Sequence, residues 1–310
     1  MSKIYFLSLL ALAASLSAVG QQTATYSQYM FNGLAINPAY AGSHDALSVS
    51  FLGRFQNVGL PGAPNTQTFT AHGNLLNNRM GVGALVVRDN MSVINQTGVH
   101  LSYAYRIPLN RKKAELSFGI QGGASIYDAD YSQLDLFNNP NSGNSDPAFS
   151  NDIRSSRPNI GAGVYFTNQT TYLGVSMPAM MNNVFERGQD FTTVYQSVPL
   201  ILTGGHVFKI NRLLKYKPNF LFKMVDSKPV EFDINNSLLL DEVLWVGLSY
   251  KSSKQVVFIT QFKINDQLQA GYSYTITGGP LRVVELGSHE FMINYKFLYH
   301  KKGVISPRYF

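Results

Sequence analysis

Six histidines, His44, His72, His100, His206, His289 and His300, and eighteen Asp and Glu are the groups from which this chain could build a metal site or an acid–base pair. A metal site is signalled by ligands spaced to share one face, as in HExxH or HxH. None of the six histidines stands in either relation. The chain has no cysteine, which excludes thiolate ligands, a cysteine nucleophile, disulfides and a lipid-modified cysteine. Neither a GxSxG elbow nor a P-loop occurs. Asp128, Asp130, Asp146 and Asp152 lie in an Asn/Ser/Asp-rich stretch that has oxygen ligands for calcium but lacks the spaced ladder of an EF-hand, so it reads as solvated loop. His100 and His289 have no neighbouring carboxylate to orient an imidazole and read as wall residues. Enzyme chemistry, a cofactor and a metal centre are not expected.

What remains to be explained is the elements these residues sit on. Only 14% of the 310 residues are charged, against roughly a quarter in an average soluble domain. The formal charge is +7, but Lys and Arg are dispersed and form no nucleic-acid patch, so nucleic acid is not an expected partner. Lys3, the apolar run 4–16 and the small residues Ala18-Val19-Gly20 have the layout of a secretory signal, with cleavage expected near Gly20. No later stretch is long and apolar enough for a spanning helix.

Beyond the signal the dominant period is two. Val99, Leu101, Tyr103, Tyr105 and Ile107 share one face of an extended segment, and His100, Ser102, Ala104 and Arg106 the other. The pattern recurs in Leu116–Gln121, Leu244–Lys251, Leu268–Ile276 and Phe291–Phe297. About fourteen such segments of roughly ten residues can be drawn, the length of a tilted membrane strand. They begin near Ala46, Asn65, Met80, Asn95, Ala114, Asn159, Thr170, Leu200, Lys217, Val230, Val243, Val256, Gln267 and Ser288. Their links tend to alternate in length. Short polar links such as Asn77–Arg79, Asn168-Gln169 and Asn265-Asp266 alternate with Asn57–Pro64, Tyr127–Pro158, Pro178–Pro199 and Thr277–Gly287. Outer-membrane barrels have short periplasmic turns and longer outer loops, and an even strand count puts both termini in the periplasm.

The fold expected is therefore all-β: a transmembrane antiparallel β-barrel of about fourteen strands, outer-membrane type. In this register Arg106, Glu115, Lys217, Lys223, Glu231, Asp233, Lys251, Lys263 and Lys296 point to the wet face, which in a membrane barrel is the lumen. A Lys or Arg facing lipid at mid-bilayer costs roughly 2–4 kcal/mol, so the register is fixed. A soluble sandwich or lipocalin-like barrel also alternates, with its apolar face inward. The signal, low charge, strand number and tyrosines near strand ends favour the membrane. The glycines of 119–123 and 161–163 sit inside strands, where they permit close packing or bending of a barrel wall.

Residues 28–42 precede the first strand and are rich in aromatics and turn signals. They are expected to lie in the lumen as a plug, with Asn37-Pro38 opening a turn and Asn37, Pro38, Ala39, Tyr40 and Gly42 as the candidate plug or partner motif. The chain divides into a signal peptide (1–20), an N-terminal periplasmic or plug segment (21–45), the barrel (46–298) and a C-terminal tail (299–310).

Several blocks carry a family resemblance: Tyr29-Met30-Phe31-Asn32 with Ile36–Gly42, Gly62-Ala63-Pro64 with Thr66-Gln67-Thr68, Asn95–Gly98 with Tyr103–Ile107, Asp146–Phe149, Pro158–Tyr165, Asn265–Leu268 with Gly271–Tyr274, and Gly287–Glu290. In this order they resemble the PorP/SprF family over nearly the whole mature chain. The resemblance implies a Bacteroidota outer-membrane barrel associated with type IX secretion and, in gliding species, with large surface adhesins. Its partners would be a secreted surface protein of that pathway, periplasmic secretion or motility components, and outer-membrane lipid. The function expected is a non-enzymatic barrel whose outer loops hold the exported protein while its periplasmic face meets the machinery. The alternative is a channel or uptake porin for small anionic solutes, suggested by six basic against three acidic residues on the wet face. A surface hydrolase is a weaker third reading, since no nucleophile constellation is present.

Overall fold

A computed structural model describes residues 26–44, 46–75, 79–109, 114–133, 152–181, 183–187, 191–196, 198–225, 228–279 and 285–297. Three short 3₁₀ turns, Tyr29–Phe31, Gly33–Ala35 and Pro38–Tyr40, precede the strands. The strands are β1 (Leu47–Phe55), β2 (Asn65–Leu75), β3 (Met80–Met91), β4 (Ile94–Leu109), β5 (Ala114–Ala129), β6 (Ile153–Thr167), β7 (Thr171–Met177), β8 (Asn183–Arg187), β9 (Phe191–Gln196), β10 (Pro199–His206), β11 (Phe208–Lys209), β12 (Leu214–Val225), β13 (Glu231–Leu240), β14 (Leu244–Lys251), β15 (Gln255–Lys263), β16 (Leu268–Thr277) and β17 (Ser288–Phe297).

Every barrel strand pairs antiparallel with its neighbour. β10 pairs with both β7 and β12, and β1 closes the ring on β17. Setting aside the separate β8–β9 hairpin and the two-residue β11, the wall has fourteen strands and no open end. Closure satisfies the backbone hydrogen bonds that hydrocarbon cannot.

Alternation decides what faces lipid. In β4, Leu101 is 67% exposed and Val99, Tyr103, Tyr105 and Ile107 are also outside, while Ser102, Ala104 and Arg106 are buried. The short turns are built by a repeated device: Asn168, Asn211 and Asn265 each use their side-chain oxygen to accept backbone N–H groups two and three residues on. Asp241 and Glu242 both have positive φ, as a tight hairpin between β13 and β14 demands.

Most strands start within one or two residues of the positions expected from the sequence. β12 begins at Leu214, three before Lys217, and β6 at Ile153, six before Asn159. The interval expected as a long loop from Tyr127 to Pro158 is shorter, because β5 runs to Ala129 and β6 starts at Ile153. The interval expected as a loop from Pro178 to Pro199 contains the β8–β9 hairpin.

Candidate functional site

The barrel interior is occupied by the chain's own residues 26–44. Tyr29 and Met30 pack with Leu52, Ile201, Leu221, Val257, Ile259 and Met292, drawn from strands around the ring. Leu34, Ala39 and Tyr40 pack with Ala104, Tyr165 and Tyr172. Burying aromatic and aliphatic side chains on both sides of the contact stabilises the seating by roughly 1.5–3 kcal/mol for each large side chain fully covered.

Polar anchors fix the segment at three levels. At the end nearest β1, the Arg106 guanidinium donates Nη2–H to the Ala41 carbonyl at 2.8 Å, and the Gly42 N–H donates to His72 Nδ1 at 3.2 Å. Gly42 has φ +68°, which lets the chain turn toward β1. In the middle, Asn37 caps the turn Pro38–Tyr40 by accepting the Ala39 N–H, and its Nδ2 donates to the Val164 carbonyl at 3.1 Å. Ser176 Oγ donates to the Ile36 carbonyl at 2.6 Å.

The third anchor is charged. The Glu290 carboxylate accepts backbone N–H from Ser27 and Gln28 at 3.0 and 2.8 Å, and Lys251 Nζ donates to Ser27 Oγ at 3.0 Å. Arg54 Nη1 lies 3.9 Å from Glu290, and Lys251 lies 3.8 Å from Asp233, which also accepts a hydrogen bond from Ser249. Glu290 and Arg54 stand near strand ends that lead to longer loops, and Lys251 and Asp233 stand at the same end of the barrel, whereas Arg106 stands near the opposite end. From His44 back to Tyr26 the segment thus climbs the barrel toward the long-loop end.

The wall makes room for it with glycines. A Cβ on Gly119 would collide with the backbone of Ala39, and one on Gly163 with the Asn37 side-chain oxygen. Gly81 and Gly271 stand in the same relation to Ala41 and Gln28.

Burial shifts the phenols of this segment. Desolvation pushes the Tyr26 hydroxyl up to about 12, against the opposing effect of its hydrogen bond with Thr68. Tyr29 is held well above the usual tyrosine value by burial, and its hydroxyl has no hydrogen-bond partner. Burial also raises Tyr40, opposed by Ser43.

The residues singled out from sequence divide into groups. Asn37, Pro38, Ala39, Tyr40 and Gly42 are all buried in this seat. Arg106, Lys217, Lys223, Asp233 and Lys251 are buried side chains of the inner wall, and Glu115, Glu231, Lys263 and Lys296 are half-buried. Lys217 is wholly buried among Phe31, Tyr172 and Trp245, with Nζ 5.3, 6.0 and 5.2 Å from their ring centres. Such cation–π contacts contribute about 2 kcal/mol when desolvated. Lys223 pairs with Glu231 at 3.3 Å, and Lys263 with Asp266 at 2.7 Å. These two pairs are local and stand apart from the group of Glu290, Arg54, Lys251 and Asp233 that anchors the segment. Sequence reasoning passed over Gln28, Arg54, Lys215 and Glu290. Alternation does mark Glu290, since Phe291 and Ile293 face outward on the same strand. Among the described residues no three His, Asp or Glu gather as a metal site.

A closed fourteen-strand antiparallel wall, apolar outside and polar within, defines an outer-membrane β-barrel. The chain belongs to the family of type IX secretion system membrane proteins PorP/SprF, whose pattern matches residues 18–295. It is similar in fold to the CymD monoaromatic hydrocarbon channel, with a TM-score of 0.54 at 10% identity over 94% of this chain and 97% of that one. It also matches the Acinetobacter baumannii outer membrane protein Omp33, with a TM-score of 0.48 at 9% identity over 81% of this chain and 98% of that one. No curated protein matches the chain.

Proposed function

We propose that this barrel holds a large surface protein exported by type IX secretion at its outer mouth, and that residues 26–44 keep the lumen closed while it does so. The observation that carries this reading is the seating of the segment by three sets of polar anchors on different parts of the wall, at Arg106, Asn37 and Glu290. A barrel filled by its own chain suits a scaffold better than a pore, and family membership supplies the secretion context. On this reading the protein is not an enzyme, its signal is removed near Gly20, and its short-turn face meets periplasmic secretion or motility components. The buried residues Asn37, Pro38, Ala39, Tyr40 and Gly42 of the segment act as a plug motif and not as a catalytic one.

The test joins two measurements on the purified barrel. Planar-bilayer recording is expected to give a sealed protein, and co-purification from outer membranes is expected to recover a type IX surface protein. A steady current together with the absence of such a protein would overturn the reading. The second reading is a channel for small anionic solutes. It is favoured by the inward Arg54, Arg106, Lys215, Lys217, Lys223 and Lys251, and by the likeness in fold to a protein named as a channel. Anion-selective conductance in the native protein would support it.

A further inference from the structure

The even strand count puts the start of β1 and the end of β17 at the short-turn face, which is where alternation alone places both termini. The internal segment does not stay at that face. Ala41 and Gly42 are held by Arg106 and His72, each three residues from the short-turn end of its strand. Asn32 accepts from Thr70, midway along β2. The Tyr26 hydroxyl bonds to Thr68, three residues from the long-loop end of β2. The backbone N–H groups of Ser27 and Gln28 are fixed by Glu290, which pairs with Arg54 and through it lies level with Thr66. The contacts along β2 thus record the climb: His72, then Thr70, then Thr68 and Thr66.

Chain length decides where the amino end can go from there. Removal of the signal near Gly20 leaves five residues, 21–25, ahead of Tyr26. Fully extended, they span at most about 18 Å. Regaining the short-turn face means descending from Glu290 to Phe297, seven residues of β17 and roughly 23 Å along the wall. That way is already filled by Tyr29, Met30, Leu34 and Tyr40. The long-loop end is two residues from Glu290 on β17 and three from Thr68 on β2, about 7–10 Å along the wall. Longer loops mark the outer side of an outer-membrane barrel.

We infer that the mature amino terminus leaves the lumen at the outer mouth, so that the barrel displays its amino end on the cell surface and keeps the end of β17 on the periplasmic side. The inference rests on removal of the signal near Gly20 and goes beyond the reading of a closed scaffold, which fixes no exit for the chain. If the mouth holds an exported protein, the first residues of the mature chain lie on the side that meets it.

The lack of native cysteine makes single positions addressable. Thr23→Cys is treated on intact cells with a maleimide-polyethylene glycol too large to cross the outer membrane. Ser253→Cys in the β14–β15 loop and Asp266→Cys in the short β15–β16 turn, both exposed positions, mark the two faces. Thr23→Cys is expected to label on intact cells as fully as Ser253→Cys and several-fold more than Asp266→Cys, which should react only after permeabilisation. A short epitope inserted between Gln22 and Thr23 gives a second measurement and should bind antibody on intact cells. The mass of the purified protein reads signal removal separately: loss of residues 1–20 is expected, and a retained signal overturns the premise and the display with it. With the signal removed, a Thr23→Cys thiol and an epitope that are reached only after permeabilisation, or only once the barrel is unfolded, overturn the outward exit. If Asp266→Cys labels on intact cells and Ser253→Cys does not, the long-loop face is periplasmic and the display is overturned, although the route through the lumen stands.

Discussion

Gln28 and Glu290 hold each other twice across the barrel. The Gln28 backbone N–H donates to the Glu290 carboxylate at 2.8 Å, and the Gln28 side-chain amide donates to the Glu290 carbonyl at 3.2 Å. The carboxylate also accepts from Ser27 and faces Arg54. Glu290→Ala leaves two buried N–H groups without their acceptor, at about 1–3 kcal/mol for each, and removes the carboxylate that faces the buried Arg54. The segment is expected to leave its seat intermittently, seen as transient conductance in planar bilayers. Glu290→Gln, which keeps one carbonyl acceptor, should open less often than Glu290→Ala.

Wall glycines give a cleaner perturbation. Gly119→Ala drives a methyl group into the Ala39 backbone and Gly163→Ala drives one into Asn37, whereas Gly122 faces open space. The first two are expected to raise conductance while leaving the barrel folded, as judged by heat-modifiable migration. Gly122→Ala should behave as wild type in both measurements.

The wall was legible because hydrocarbon enforces alternation. Val99, Leu101, Tyr103, Tyr105 and Ile107 are apolar since each meets lipid, and that constraint repeats around the ring. Where the constraint lapses, so does the signal. Residues 153–158 read Ile-Arg-Ser-Ser-Arg-Pro and extend past the lipid-facing Ile160, so their extended conformation left no apolar period to detect. The aromatic content of residues 28–42 pointed to burial, but not to the walls that receive them. Gln28 and Glu290 are separated by 262 positions, and nothing local in either neighbourhood specifies the other. The in-strand glycines were read as wall packing. That they face the internal segment follows only from the closed ring.

At the height of the hydrocarbon the outer face disfavours charge. Leu101 is 67% exposed on the lipid side of β4. Leu101→Arg is expected to destabilise the barrel by about 2–4 kcal/mol, measured by urea unfolding in lipid vesicles. A cost near zero would mean that this position does not lie in the hydrocarbon.

Alkali should release the internal segment. Burial raises Tyr26 to about 12 and lifts Tyr29 and Tyr40 above the ordinary value of 10.0. Once withdrawn into water these phenols ionise near 10. Below that pH both the seated and the withdrawn forms are neutral, and seating keeps its full strength. As pH rises from about 10 toward about 12, only the withdrawn form loses its protons, so the equilibrium moves progressively toward it. Conductance in ether-lipid bilayers is therefore expected to appear across this window and to vanish on return to neutral pH. Lys251 also donates to Ser27, so the pH response alone does not identify the groups. The combined variant Tyr26→Phe, Tyr29→Phe and Tyr40→Phe does: it keeps the rings and removes the ionisable hydroxyls, and should shift the onset of current to higher pH. An unchanged onset would assign the release to Lys251 and its neighbours instead.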